Sequence, residues 1–284
     1  MTNTKTLLEV LQSTTAYFTK YGIESPRLNA EHLIAHALQL SRLELYLEFE
    51  TKLDEQKLAQ LRDRVKRRAQ GEPLQHLLGT VEFCGQTFLS DKRAMVPRPE
   101  TEQLVELLVS AVGDQKLAVR MVDVGTGSGV IALSLAAKFP DAKIFAVDVS
   151  EDALALAREN AARLGFADRV QFQKGDLLEN LNERLDLIAA NLPYISMKDR
   201  DSLPREVLHD PEVALFSGPT GDEILRCLIE QARAHLQPRG LLALEIGVNQ
   251  AEGLGAFLRQ KNYHDIESKK DYSGTTRFLL ARYG

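Results

Sequence analysis

After Val119 the chain alternates short apolar runs with amphipathic ones, and no other feature restricts its fold so tightly. "VRMVDV", "KIFAVDV", "RVQFQKG", "RLDLIAAN" and "GLLALEIG" read as strands. "SGVIALSLAAKF", "EDALALARENAARLG", "DEILRCLIEQARAHL" and "NQAEGLGAFLRQ" carry the helical period. Strands that alternate with helices in this way predict a mostly parallel sheet with helices on both faces. The closing runs "YHDIESKKD" and "TTRFLLARY" follow one another without a helix, so one strand of the seven should pair antiparallel. In such a sheet, ligands bind at the carboxyl ends of the strands.

The first of those ends carries Asp123-Val124-Gly125-Thr126-Gly127-Ser128-Gly129. Alternating glycines let a backbone approach a ligand closely, and the helix that follows offers free N–H donors. Alone, such a loop is also an ordinary tight turn. Here it sits between a strand and a helix, and Asp148 ends the next strand, where a carboxylate can accept both hydroxyls of a ribose. The dinucleotide fingerprint would need glycine at position 130, which is Val130. The spacing resembles instead the S-adenosylmethionine loop of class I methyltransferases.

That cofactor gives sense to Asn191-Leu192-Pro193-Tyr194, which closes the run "LDLIAA". A planar amide or exocyclic amine is a poor nucleophile because its lone pair is delocalised. Two acceptors that grip both N–H bonds can aim the lone pair at a methyl group. The Asn191 side-chain oxygen and the Leu192 carbonyl supply such a pair. Pro193 holds Leu192 extended and so aims its carbonyl, and the Tyr194 ring can cover the planar target.

The stretch "GEPLQHLLGTVEFCGQTFLSDKRAMVPRPETEQLVE", Gly71 to Glu106, resembles the linker of the protein-(glutamine-N5) methyltransferases that modify peptide-chain release factors, the HemK/PrmC type. "PRPETE" is its most specific mark, and "DVGTGSGVIALSLA", "AVDVS", "NLPYI", "DPEVALFSG" and "KDYSGTTRFLLARY" follow in the family's order. The resemblance implies a class I methyltransferase: a Rossmann-like α/β fold with a seven-stranded, mostly parallel sheet, a small helical N-terminal domain and a linking β-hairpin. It implies methylation of the glutamine in a Gly-Gly-Gln motif. Cofactor contacts are expected on Gly125, Thr126, Gly127, Ser128, Gly129, Asp148 and Asn191, with an adenine contact at Asp176-Leu177. Substrate binding and catalysis are expected on Asn191, Leu192, Pro193 and Tyr194. Two departures stand out: Leu192 replaces the family's usual proline, and Leu177 replaces an aromatic residue often found after the acid.

Upstream, Leu7, Leu8, Leu11 and Phe18, then Leu33, Ile34, Ala37 and Leu38, recur at helical spacing from Thr2 to about Gln70. Ser25-Pro26 reads as a helix start, Asp54 to Arg68 as a third strong helix, and "GTVEFCGQTFLSD" as a hairpin around Gly85. The expected domains are 1–75 (helical, substrate recognition), 76–98 (hairpin linker) and 99–284 (methyltransferase).

Composition separates the competing functions. Asn-Leu-Pro-Tyr also resembles the tetrapeptide of ribosomal RNA adenine dimethyltransferases, so an N6-adenine methyltransferase acting on ribosomal RNA or DNA is the alternative, with a silent binding module as the third reading. A net charge of −5 opposes broad nucleic-acid binding, and intact Asn191 and Asp148 oppose the silent module. No apolar run suits a membrane, the N-terminus lacks a signal or transit pattern, and the two cysteines lie far apart. Release factors as partners, no membrane or direct nucleic-acid substrate, and a cytoplasmic location are expected. His32 and His36 lack an obvious third metal ligand, so no metal is expected. The basic run "RDRVKRR" reads as a solvated face, and Glu100 and Glu102 as caps of a helix starting at Thr101 or as pocket lining.

Overall fold

The computed structural model describes residues 5–113 and 119–284, so the first four residues of the helical region lie outside the described ones. The chain divides into two compact units, Met1–Thr80 with Pro204–His209, and Val81–Leu203 with Asp210–Gly284.

The first unit holds helices α1 (Leu7–Lys20), α2 (Pro26–Leu38), α3 (Arg42–Leu47), α4 (Glu55–Ala69) and α5 (Leu74–Leu78). Leu7, Phe18, Leu33, Ile34 and Leu45 are fully buried in its core, each contributing ~1.5–3 kcal/mol by leaving water. Asp54 starts α4 by accepting the Lys57 N–H at 2.8 Å. Ser25 precedes the first helical residue of α2, as expected, but its φ of 47° leaves the hydroxyl capping nothing. Asn29 Nδ2 binds the carbonyls of Glu24 and Ser25 at 2.9 and 3.2 Å instead. The short α3 was not expected, although its Ser41/Glu44 capping box was legible: Ser41 Oγ accepts the Glu44 N–H, and Glu44 accepts the Ser41 N–H at 2.7 Å.

The basic run is only partly the solvated face that its sequence suggests. Arg62 pairs with Glu55, and Arg67 with Glu72 and Asp63. Arg68 is buried, with Nε on Asn29 Oδ1 at 2.8 Å and Nη2 on Glu206 at 2.7 Å.

The hairpin of β1 (Thr80–Phe83) and β2 (Gln86–Leu89) comes next, all of it but Thr80 in the second unit. Its two turn residues, Cys84 and Gly85, both have positive φ (48° and 74°), the backbone that a two-residue hairpin turn requires. Then come α6 (Pro99–Val112), β3 (Arg120–Val124), α7 (Val130–Lys138), β4 (Lys143–Asp148), α8 (Glu151–Leu164), β5 (Val170–Lys174) and β6 (Leu185–Asn191). The unit ends with α9 (Glu223–His235), β7 (Leu236–Glu245), α10 (Ala251–Gln260), β8 (Tyr263–Lys270) and β9 (Thr276–Tyr283).

The seven strands lie in the order β5-β4-β3-β6-β7-β9-β8. β9 alone runs against its neighbours, pairing antiparallel with β7 and β8. Alternate side chains enter opposite cores. Met121, Leu187, Ala243 and Phe278 join one, and Val122, Ile188, Leu244 and Leu279 the other. Helices α6 and α7 cover the first face (Leu104, Leu133), and α9 and α10 the second (Leu228, Leu254). Burial on both faces explains why the central strands β3, β4 and β6 are largely apolar. The strand order reverses between β3 and β6, which opens a crevice at their carboxyl ends. Among the described residues, no helix is long and apolar enough to cross a membrane.

Candidate active site

The crevice contains an open cavity walled by the ends of β3, β4, β5 and β6. Backbone demands shape its floor. Gly125 follows β3 with φ of 72°, and a Cβ there would meet Leu192 Cδ2 at 2.6 Å. Gly129 has φ of 85°, and its Cβ would lie 3.2 Å from that of Ala157. Only glycine fits either place. The loop is tied to β4 by the Gly125 and Thr126 N–H groups, which both donate to the Val147 carbonyl at 2.8 and 3.0 Å. Asp123, fully buried, accepts from the Thr126 hydroxyl at 2.6 Å and the Ala132 N–H at 3.1 Å. Burial pushes its carboxyl up to about 7, against the pull of those two donors.

Asp148 ends β4 beside this loop. Its Oδ2 accepts the Gly127 N–H at 2.8 Å and its Oδ1 the Ser150 N–H at 2.9 Å. Burial raises its pKa, and the backbone donors oppose that rise. Each oxygen keeps a lone pair for a further donor. Past β5, Asp176 and Leu177 also line the cavity. Leu177 has φ of 53°, a left-handed backbone that costs an aliphatic residue roughly 1–3 kcal/mol and marks a place where shape is enforced.

Asn191 ends β6, and its register partner is Glu245 at the end of β7. Asn191 Nδ2 donates to Thr101 Oγ1 at 3.0 Å, and Thr101 Oγ1 donates to Glu245 Oε2 at 2.8 Å. With its nitrogen so engaged, the Asn191 amide leaves Oδ1 as the end for a ligand. Leu192 is 5% exposed, its side chain turned down onto Gly125. That packing gives the leucine a place in the fold that its carbonyl role does not need. Asn191, Leu192 and Pro193 line the cavity together with Asp148 and the four loop residues Gly125 to Ser128; Gly129 does not, though its neighbours Ser128 and Val130 do. Tyr194 stands outside the lining, half-buried against the second core, with its hydroxyl pushed up to about 12 by burial and by Glu245.

The expected role of Glu100 and Glu102 needs correcting. Helix α6 starts at Pro99, not Thr101, because proline's fixed φ suits the first helical position. Among the described residues, the cavity takes Thr101 from this turn and neither glutamate. Three polar groups went unnoticed in the sequence: Thr101, Glu245 and Asn160. Asn160, fully buried on α8, ties β2 to the glycine loop through Leu89 N (2.6 Å) and the Ser128 carbonyl (2.9 Å). Glu245 had a signal, since an acid ends the buried run "LLALE" where Asp148 and Asn191 end theirs.

An open sheet with a glycine loop at its switch point, an acid ending the next strand and Asn-x-Pro-Tyr ending a third defines a class I methyltransferase. Residues 115–274 match the family model "Methyltransferase domain", and residues 9–79 match "PrmC N-terminal domain". The chain is 41% identical over 276 residues to the release factor glutamine methyltransferase of Deinococcus radiodurans, covering 97% of this chain and 98% of that one. It is 38% identical to the enzyme of the same name from Geobacter sulfurreducens, covering 98% and 97%. The chain belongs to the release factor glutamine methyltransferase family. Among solved structures, the human Mettl16 catalytic domain bound to an RNA hairpin shares the fold with TM-score 0.55 at 15% identity, over 81% of this chain and 82% of that one. A Thermus thermophilus 16S rRNA N2 G1207 methyltransferase in complex with AdoMet and guanosine does so with TM-score 0.53 at 18% identity, over 72% and 50%.

Proposed function

We propose that this chain transfers a methyl group from S-adenosylmethionine to the side-chain nitrogen N5 of the glutamine in the Gly-Gly-Gln motif of peptide-chain release factors. The observation that carries this reading is the 41% identity over 97% of the chain, which spans both the helical region and the site.

The residues present fit the cofactor. The loop from Gly125 to Gly129 leaves the backbone bare, a Cβ at Gly127 would meet nothing nearer than Ala94 at 3.9 Å, and Asp148 has lone pairs to spare. Asp148 would hold the ribose hydroxyls, and Asp176 and Leu177 would border the adenine. When bound, the cofactor would supply an electrophilic sulfonium methyl for N5, the C–S electron pair going back to sulfur and the displaced N–H proton to water.

This chain's own residues act by placement. Asn191 Oδ1 and the Leu192 carbonyl accept the two N–H bonds of the glutamine amide and aim its lone pair, with no base needed before attack. Pro193 keeps the Leu192 carbonyl pointed. We assign the Tyr194 ring to the face of the amide, where it would shield the reaction from water. The helical residues 1–75 recognise the release factor, the hairpin segment 76–98 links them to the catalytic residues 99–284, and the reaction belongs to the cytoplasm, a compartment that suits free Cys84 and Cys227. Nucleic acid is not the substrate, in keeping with the net charge of −5. Mass spectrometry of the glutamine peptide, after incubating a release factor with enzyme and S-adenosylmethionine, should show one added methyl. An unmodified peptide under turnover conditions would refute the reading.

A further inference from the structure

Glu245, like Asp123, is a carboxylate buried within the catalytic unit. It is 1% exposed at the end of the buried apolar run Leu241–Leu244 of β7, with Phe278 of β9 and Asn191 of β6 as its register partners. A buried carboxylate destabilises a fold unless donors surround it. The principal donor here is the Thr101 hydroxyl, itself 2% exposed, which also touches Asn191.

We propose that Glu245 and Thr101 are positioning residues, a two-step relay that locks the Asn191 amide with its oxygen toward the substrate nitrogen. The proposal rests on the reading of Asn191 as an acceptor for a glutamine amide. The two ends of an asparagine amide have nearly the same shape, so sterics alone do not choose between them. Chemistry chooses: with Nδ2 in the cavity, donor would meet donor and the glutamine would be repelled. A hydroxyl has one proton. When Thr101 gives that proton to Glu245 Oε2, only lone pairs remain for Asn191, and they accept Nδ2 but repel Oδ1. The direction of the relay thus begins at the Glu245 negative charge.

Once Glu245 is protonated, its own O–H can donate to Thr101. The threonine proton is then free to turn toward Asn191, and the flipped amide becomes as good as the working one. The groups that face Glu245 set where this happens. Burial pushes its carboxyl up, and Glu100 on α6 adds to that, while Thr101, Arg277 on β9 and Asn191 pull it down, leaving it at about 7. Tyr194 beside it remains neutral in this range, its hydroxyl lying at about 12. The lock therefore holds above neutrality and loosens as the pH falls below it.

Two readouts on the full chain test this. In the enzyme alone, NMR should show the Asn191 side-chain amide nitrogen shifting with the same midpoint as the Glu245 carboxyl carbon, and the shift should shrink in Thr101→Val to what the direct pull of Asn191 on the carboxylate leaves. In turnover, kcat of the wild type should fall on the acid side with that midpoint, and Glu245→Gln should lose the acid limb. Thr101→Val should lower kcat by about a hundredfold, the cost of misplacing a catalytic group by an ångström, with S-adenosylmethionine affinity unchanged and Thr101→Ser restoring most of the rate. An Asn191 amide that ignores the carboxyl titration overturns the relay, as does full kcat in Thr101→Val. A coupled titration in an enzyme that leaves release factor unmodified supports the relay and refutes only the glutamine reading.

Discussion

Gly125→Ala should be among the most damaging single-methyl additions in this chain, and its cost can be worked from two terms. The first is backbone strain: φ at Gly125 is 72°, where an L-residue pays roughly 1–2 kcal/mol. The second is overpacking, because the new Cβ would lie 2.6 Å from Leu192 Cδ2, against an ordinary carbon contact of about 3.5–4.0 Å. Leu192 is only 5% exposed, so it cannot swing into solvent, and forcing a methyl into such a place costs roughly 1–3 kcal/mol. The sum, about 2–5 kcal/mol, is a large share of a domain's usual stability of roughly 5–15 kcal/mol. Urea unfolding would read it as a lowered midpoint at unchanged slope. A cycle with Leu192→Ala separates the terms. That variant alone should cost about 2–5 kcal/mol through its cavity. The double variant should cost less than the sum by about 1–2 kcal/mol, since the clash is gone and the strain remains. Additive losses would refute the Leu192 contact, and a Gly125→Ala change below about 0.5 kcal/mol, the range of neutral surface substitutions, would refute both terms.

Asn191→Ala removes one acceptor of the pair and should lower kcat roughly a hundredfold to a thousandfold, by analogy with losing one oxyanion-hole donor, with a much smaller change in cofactor affinity; steady-state kinetics at saturating cofactor would show it. Asp148→Ala should weaken S-adenosylmethionine binding by roughly 1.5–3 kcal/mol, the value of hydrogen bonds to a charged group, and calorimetry that finds equal affinity would remove Asp148 from the ribose site. Glu245→Gln should make the protein more heat-resistant at pH 8 but not at pH 4. The Glu245 carboxyl goes from 4.5 unfolded to about 7 folded, so folding takes up a proton between those values and stability falls across that window as pH rises, by up to about 3 kcal/mol. Glutamine bears no such cost, and melting curves in which the variant is the weaker at pH 8 would mark Glu245 as a structural residue instead.

The parts of the molecule legible in the sequence are those whose cause is local. Both-face burial writes apolar strands directly into "RMVDV" and "LIAAN", and a loop that must take φ near +72° and +85° writes glycine at 125 and 129. Asp148 and Asn191 stood out because each polar residue ends an apolar strand. What stayed hidden depends on partners remote in the chain. Thr101 and Glu245 are 144 positions apart, so neither half of the relay announces the other. Arg68 looked like one more exposed base until Asn29 and Glu206, 39 and 138 positions away, enclosed it. The start of α6 differs from the expected Thr101 for a local reason: Pro99, with its fixed φ, takes the first helical position and places Glu100 and Glu102 inside the first turn.

A competition for labelled methyl separates a glutamine enzyme from an adenine one. Enzyme and radiolabelled S-adenosylmethionine are given release factor and ribosomal RNA together, and the label is located. Acceptor geometry at Asn191 and Leu192 serves any planar NH₂ group, so only the choice between targets distinguishes the glutamine enzyme from an adenine one. Label should appear in the release factor, confined to the glutamine peptide and abolished by Asn191→Ala. Label chiefly in the RNA, with the release factor blank, would contradict the glutamine reading.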